Sequence, residues 1–379
     1  MTDRSPLGIA FLGGGSGGHI YPSLAVADAI SHLEPRAKAV FLTGDRAADE
    51  LALQDQTPFG QPAKRVALHA RPPSVRPRAM VACLRNWGGA VRDSRTVLRE
   101  LRSTCDRVVA MSTGGYVSAP AAQAARVERV PLVLVSLDAR IGKANRFVAK
   151  RAQHRLVAQN EAPAGWKPIG PIVGQRALPP GDKPHCRHLL GLDPSLPTLL
   201  VMGGSQGATS INRLMCEFAR KSPGLLDGWQ VIHLAGDARA TADVQHAYDD
   251  AGIAAFVSPL LSPIGPAWGS ADLAICRSGA GTVAEAHASG VPCVFLPYPY
   301  HKDQHQAANA QPLANAGGAI IVQDAIEPGA NLERLSPTLS ELLPTPTKRA
   351  TMVQALSNLP RQDGASACAR VLLDTAIRI

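Results

Sequence analysis

Four times in this chain a short apolar run ends in a cluster of small residues and gives way to a helical pattern. Ile9–Leu12 runs into Gly13-Gly14-Gly15-Ser16-Gly17-Gly18-His19, and Arg107–Met111 into Thr113-Gly114-Gly115-Tyr116. Thr198–Met202 runs into Gly203-Gly204-Ser205-Gln206-Gly207-Ala208, and Leu273–Cys276 into Arg277-Ser278-Gly279-Ala280-Gly281-Thr282. A strand that stops at glycine and restarts as a helix is a βα unit, and its repetition predicts parallel, doubly wound α/β sheets. Further strands are predicted at Ala39–Leu42, Leu132–Leu134, Gln230–Leu234 and Cys293–Leu296, with helices over Leu24–Ile30 and Asp49–Gln54. The pattern restarts at Thr198, and 379 residues are many for one core. Two Rossmann-like domains facing across a cleft are therefore expected, 1–166 and 167–379. The linker is expected at Pro163–Gly170 and a final helical stretch at Lys348–Ile377.

The seven cysteines are odd in number, scattered and free of any CxxC pair, which argues against zinc and disulfide frameworks and for a reducing compartment. No apolar stretch reaches the roughly 18–20 residues that span a bilayer. The chain enters its first strand without a basic segment and long apolar run before it. Both observations predict a cytoplasmic protein or one peripheral to a membrane. The net charge of +9 is uneven: 24 Lys/Arg face 13 Asp/Glu in residues 1–170, against 15 and 17 in the remainder. The excess concentrates between Lys64 and Arg107, with 11 basic and 3 acidic residues. Such a segment is either a solvated surface or a face that meets anionic lipid headgroups. Nucleic acid is disfavoured, because the segment carries neither interleaved aromatics nor a recognisable binding motif.

The glycine turns point to anion chemistry. Backbone N–H groups bared at a helix N-terminus favour a phosphate. Gly13–Gly18 is neither a GxGxxG fingerprint with a clean acidic partner nor a Walker loop, so dinucleotide oxidoreductases and P-loop enzymes are set aside. The first two turns, lying at one sheet edge, can cradle a diphosphate together. Glu285 lies one helical turn past Gly281–Thr282, where a carboxylate can accept both hydroxyls of a ribose. The loop holding Gln304, His305, Gln306 and Asn309 can read sugar hydroxyls. The whole describes a nucleotide-sugar site at the carboxyl ends of parallel strands. His19, at the mouth of the first loop, has a side chain whose pKa range suits a general base. Arg176 is a candidate to hold the charge of a leaving diphosphate. Metal ligation has little support: no Asp-x-Asp pair occurs, and His301 and His305, four apart, fall in the sugar-reading loop.

Five segments together resemble the MurG family: GGGSGGHIYP at 13–22, GGYVSAP at 114–120, GGSQGA at 203–208, CRSGAGTVAE at 276–285 and HKDQHQAAN at 301–309. Their order and spacing match over nearly the whole chain. The resemblance implies the GT-B glycosyltransferase architecture and transfer of GlcNAc from UDP-GlcNAc to the MurNAc of lipid I, forming lipid II in peptidoglycan synthesis. It implies an inverting, metal-independent and cofactor-free reaction at the cytoplasmic face of the plasma membrane. By position, Phe256 and Val257 match the uracil contact, Ala280, Gly281 and Thr282 the diphosphate contacts, and Glu285 the ribose ligand. Arg176, Ser205 and Gln206 match residues near the donor phosphates, and Gln306 a reader of GlcNAc hydroxyls. Gly14, Ser16, Gly17, Gly18, Gly114, Gly115, Tyr116 and Asn145 match the acceptor-diphosphate side, with His19 nearest the chemistry. The basic segment 64–107 matches the membrane-facing surface.

One segment departs from the family. Where its members carry His-Glu-Gln-Asn after the fifth strand, this chain has Val135-Ser136-Leu137-Asp138, while Gly142, Asn145 and Arg146 still match. Two single residues depart as well: His305 stands for the first of two paired glutamines, and Gly281 for the family's residue after Ser-Gly-Ala. Donor recognition is expected to be preserved, and acceptor recognition altered. Two other functions fit this sequence: a GT-B UDP-sugar transferase with a different lipid acceptor, and a catalytically weakened UDP-sugar-binding protein.

Overall fold

A computed structural model describes residues 6–15, 17–71, 77–204, 207–300 and 304–378. The chain divides into two compact units, Met1–Gly174 with Gln362–Ile379, and Gln175–Arg361. In the first, strands β1 (Leu7–Gly13), β2 (Lys38–Thr43), β3 (Lys64–Ala67), β4 (Arg107–Gly114), β5 (Leu132–Ser136), β6 (His154–Val157) and β7 (Lys167–Pro168) form a sheet in the order β3-β2-β1-β4-β5-β6-β7. Its helices are α1 (Gly17–Leu33), α2 (Ala47–Leu53), α3 (Pro77–Thr104), α4 (Ser118–Val127) and α5 (Lys143–Ala149). In the second, β8 (Thr198–Met202), β9 (Gln230–Leu234), β10 (Ala255–Ser258), β11 (Leu273–Cys276), β12 (Cys293–Phe295) and β13 (Ala319–Ile321) take the order β10-β9-β8-β11-β12-β13. Its helices are α6 (Lys183–Leu189), α7 (Thr209–Lys221), α8 (Ala238–Asp250), α9 (Gly265–Ser270), α10 (Ala280–Ser289), α11 (His305–Asn315), α12 (Pro328–Leu342) and α13 (Pro346–Ser357).

The strand sequences explain the layers. Along β8, Leu199 and Val201 enter one buried cluster while Leu200 and Met202 enter another. A strand apolar at every position buries both faces, as a parallel sheet between helix layers requires. Ala10 and Leu12 of β1 likewise pack with Val40 and Leu42 of β2 on one face, while Phe11 and Phe41 stack at 4.9 Å on the other. Both sheets are parallel among these strands, as expected.

The C-terminus corrects the expected domain division. The final helical stretch is two helices, α13 and α14 (Gly364–Thr375), and residues 377–378 are strand β14 (Ile377–Arg378). That strand pairs antiparallel with β4, opposite Val108 and Arg107. Residues 362–379 thus belong to the first unit, and the boundary follows Gly174 rather than residue 166. The reason is the apolar face of α14: Ala365, Cys368, Ala369 and Leu372 are buried, and Cys368 Sγ lies 3.9 Å from Met111 Sδ of β4. Gly364 fits against the Gly170 and Pro171 carbonyls, where a Cβ would lie 2.3 Å and 2.5 Å from the two oxygens.

Candidate active site

In each sheet the winding reverses beside the first strand, between β1 and β4 and between β8 and β11. Loops leaving the carboxyl ends of such neighbours diverge and open a crevice, the usual ligand site of a doubly wound fold. All four glycine turns lie at these two points.

In the first unit the two loops touch backbone to backbone. A Cβ on Gly115 would lie 2.4 Å from the Gly14 carbonyl oxygen, and one on Gly13 2.3 Å from Thr113 Oγ1. Gly15 has φ +98°, and a Cβ there would lie 2.6 Å from the Tyr116 ring. His19, on the first turn of α1, is half-buried. Its Nδ1 lies 3.1 Å from the Thr113 carbonyl, and Thr113 Oγ1 donates back to the His19 carbonyl at 2.9 Å. A carbonyl only accepts, so Nδ1 carries the proton and Nε2 the lone pair. Burial lowers the His19 pKa below its ordinary value, against the charge of Asp138, the Thr113 bond and the charge of Asp49. A neutral imidazole with a basic Nε2 can receive a proton at neutral pH.

Not every loop amide is open to an anion. Asp49, fully buried, accepts the Gly15 N–H with both oxygens (3.0 and 2.8 Å) and the Gly44 N–H at 2.9 Å. The Gly114 N–H goes to Ser112 Oγ at 3.3 Å. The φ of +102° at Gly114 lets the chain turn against Asn145. Asn145 bonds to the altered segment. Its Nδ2 donates to Ser136 Oγ at 3.2 Å, and its buried Oδ1 has no partner. Turned to the loop, this unpaired acceptor can take a hydroxyl or an N–H donor. Gly17 and Gly18 open α1, whose first N–H groups have no intrahelical partner. Ser16 lies outside the described residues. In the altered segment Val135 and Leu137 are buried, and Ser136 Oγ donates to the Asp138 carbonyl at 3.4 Å.

In the second unit α10 begins at Ala280 with Gly279 as an N-cap that offers no side-chain bond. The first helical bond runs from the Val283 N–H to the Gly279 carbonyl at 3.0 Å. The N–H groups of Ala280, Gly281 and Thr282 therefore lack intrahelical acceptors. Just before them, buried Ser278 Oγ has no partner, while Asn309 Nδ2 fixes the Ser278 carbonyl at 3.2 Å. One turn on, Glu285 Oε2 accepts from Trp268 Nε1 at 3.0 Å. Burial raises the Glu285 pKa to about 7, opposed by that indole bond. Gln306 Oε1 accepts the Tyr298 N–H at 2.9 Å, which fixes the amide.

β10 is an edge strand. The Ala254 and Ser258 carbonyls accept from β9 and the residue after it, so by alternation the Val257 amide faces the open edge. Phe256 and Val257 side chains pack into opposite clusters, so the Val257 main chain is the group able to pair with a base edge. Arg176 is exposed, its turn resting on α9 beside Gly265. Ser205, Gln206 and His301 lie outside the described residues.

The sequence reading missed the groups that hold these pieces. Arg277 donates to the Leu296 and Pro297 carbonyls, to Asp324 at 2.6 Å and to Ser210 at 2.7 Å. It ties the start of α7 to the ends of β12 and β13. Burial would raise the Asp324 pKa, but bonds from Ser210, Asn331, the Ile326 amide and Arg277 outweigh it and keep the carboxyl ionised. The signal was present, since Arg277 lies inside the CRSGAG motif and Trp268 is one of only four tryptophans. Among the described residues no group of three or more His, Cys, Asp or Glu side chains is gathered to hold a metal, and no helix is long and apolar enough to cross a membrane.

The chain matches the glycosyltransferase family 28 N-terminal domain over residues 9–157 and the C-terminal domain over 198–367. It is 35% identical over 370 residues to a UDP-N-acetylglucosamine–N-acetylmuramyl-(pentapeptide) pyrophosphoryl-undecaprenol N-acetylglucosamine transferase of Paenarthrobacter aurescens, covering 92% of this chain and 90% of the relative. A protein of the same description from Saccharopolyspora erythraea is 35% identical over 387 residues, covering 100% and 96%. The crystal structure of Acinetobacter baumannii MurG superposes with a TM-score of 0.69 at 25% identity, covering 97% of this chain and all of that one. The chain belongs to the MurG family. Its fold is the GT-B fold, and it is a glycosyltransferase, as the sequence motifs implied. The four glycine motifs lie at the two switch points, and the segment 135–138 adjoins His19 through the charge of Asp138.

Proposed function

We propose that this chain transfers GlcNAc from UDP-GlcNAc to the MurNAc of lipid I, with inversion, to give lipid II. The observation that carries the donor half is the start of α10. Three unpaired amides, an unpartnered Ser278 hydroxyl and a carboxylate one turn later match a diphosphate and its ribose. The Val257 main chain would meet the uracil, and Gln306, through its free Nε2, the GlcNAc hydroxyls. In the reaction His19 Nε2 takes the proton of the attacking hydroxyl, and Asp138 steadies the imidazolium that forms. The α10 amides and Arg176 hold the charge of departing UDP. The acceptor follows the two relatives, which are transferases acting on an N-acetylmuramyl-(pentapeptide) pyrophosphoryl-undecaprenol.

The lipid anchor of that acceptor requires work at a membrane, on its cytoplasmic face where nucleotide sugars are made. The basic excess of residues 64–107 is a weaker argument for this than the sequence suggested. Lys64, Arg65, Arg71, Arg95, Arg99 and Arg107 pair with Glu100, Glu50, Asp45, Glu128 and Glu34. Four of those five acids lie outside the segment, so counting within it overstated the free charge. The start of α3 gives better support: Met80, Val81 and Leu84 are 49%, 63% and 70% exposed beside Arg85. Apolar side chains with a basic neighbour suit a headgroup boundary.

The test is transfer of radiolabelled GlcNAc to lipid I, compared with simple polyprenyl-diphosphate sugars, with and without EDTA. Labelled lipid II formed in EDTA is expected. UDP-GlcNAc binding without transfer to lipid I, but with transfer to another polyprenyl-diphosphate sugar, would favour the second reading, a different acceptor.

A further inference from the structure

The first glycine loop carries an electrostatic problem. The buried Asp49 carboxylate sits against it, bonded to the Gly15 and Gly44 amides. Those bonds position the loop, but they use an amide and put a negative charge behind any anion it receives. The loop therefore needs a cation on its open side. Three arginines surround it. Arg65 binds Thr43 Oγ1 and the Gly44 carbonyl and pairs with Glu50 at 3.3 Å. Arg71 pairs with Asp45 at 3.2 Å. Arg46 is held differently: its Nη1 donates to the Gly15 carbonyl at 2.9 Å, and its guanidinium lies 5.5 Å from the centre of the Tyr116 ring. One contact is to the first glycine loop and the other to the second. The side chain is exposed, and a carbonyl and a ring fix its place without neutralising it.

We propose that Arg46 is a binding residue for the diphosphate of the acceptor, an assignment that rests on the acceptor reading of the two glycine loops. The first turn of α2 then works as one device. Asp49 and Arg46 grip the N–H and the C=O of Gly15, the first setting the loop and the second supplying the charge. A guanidinium spends one N–H on the Gly15 carbonyl and keeps others for phosphate oxygens, in the planar fork that suits them. The glycine motifs alone could not show this, because Arg46 lies 31 residues from the glycine it holds.

The test uses Arg46→Gln, Arg46→Lys and, as control, Arg65→Gln, each checked by thermal melting. Titration calorimetry measures binding of farnesyl diphosphate, farnesyl monophosphate, inorganic pyrophosphate and UDP, and steady-state transfer gives acceptor and donor KM. Arg46→Gln is expected to weaken farnesyl diphosphate binding about tenfold or more, the usual loss for a bond to a charged group. Acceptor KM should rise in parallel, with UDP affinity and donor KM within twofold of wild type. Arg46→Lys should recover part of the loss, and Arg65→Gln should show little of it. A loss seen for the farnesyl ligand but not for pyrophosphate identifies a lipid-linked diphosphate, and an equal loss for both identifies an anion site indifferent to the lipid. Wild-type binding by Arg46→Gln, or an equal loss with UDP, overturns the assignment of Arg46 alone. Failure of the unmutated protein to bind farnesyl diphosphate overturns the acceptor reading and this inference with it.

Discussion

The Glu285 carboxyl ties donor binding to pH. Burial holds its pKa at about 7 in the folded protein, although the Trp268 indole pulls the other way, whereas an unfolded chain releases that proton near the ordinary glutamate value, about 4.5. Between those values the folded state keeps a proton that the unfolded state has lost, so this group makes stability fall as pH rises. The span corresponds to about 3 kcal/mol, complete just above pH 7. Glu285→Gln removes the titration and keeps an acceptor for the indole N–H. Its stability relative to wild type should climb by about 3 kcal/mol from pH 4.5 to pH 8, measured by urea denaturation, with all other titrations common to both proteins. A ribose that binds the carboxylate competes with the same proton. UDP-GlcNAc affinity should therefore drop by up to about tenfold per pH unit below 7. At pH 6 nearly one proton should leave on binding, read by calorimetry in buffers of different ionisation heat. UDP-GlcNAc is the right probe, since its diphosphate is esterified at both ends and has no proton of its own to lose there. Parallel stability curves for the two proteins, or binding at pH 6 without proton release, would refute the reasoning.

Three further outcomes are expected. His19→Ala should lower kcat at least about tenfold with UDP affinity unchanged, because general-base help is worth roughly 10²–10⁴; a variant with wild-type kcat would reduce His19 to a partner of Thr113. Asp138→Asn removes a charge that favours the His19 imidazolium, so the acid limb of the kcat/KM profile should move to lower pH, and an unmoved limb would separate the two residues. Arg277→Ala leaves Asp324 buried without its cation, a change worth about 3–5 kcal/mol; a melting temperature within a degree of wild type would show that Ser210 and Asn331 suffice.

The sequence by itself determined whatever is decided within a few residues. An apolar run, a glycine turn and a helix start fix the strand ends, so β8, β9 and β11 appear with the predicted bounds. The unpaired amides of Ala280–Thr282 follow from their being the first three residues of a helix with an unbonded cap. Motif order also gave the family. The tertiary structure decided what depends on residues distant in sequence. It returned residues 362–379 to the first unit, because the apolar face of α14 found its complement on the first unit's own helices and strands. It bonded the Gly15 amide to Asp49, 34 residues away, and the Asn145 amide of α5 to Ser136. It paired five of the eleven basic residues of segment 64–107 with acids from elsewhere in the chain. The physical reason is the same in each case. Backbone geometry and helix-end chemistry are local, but the partner of a buried charge or donor is whichever group the fold brings within about 3 Å of it.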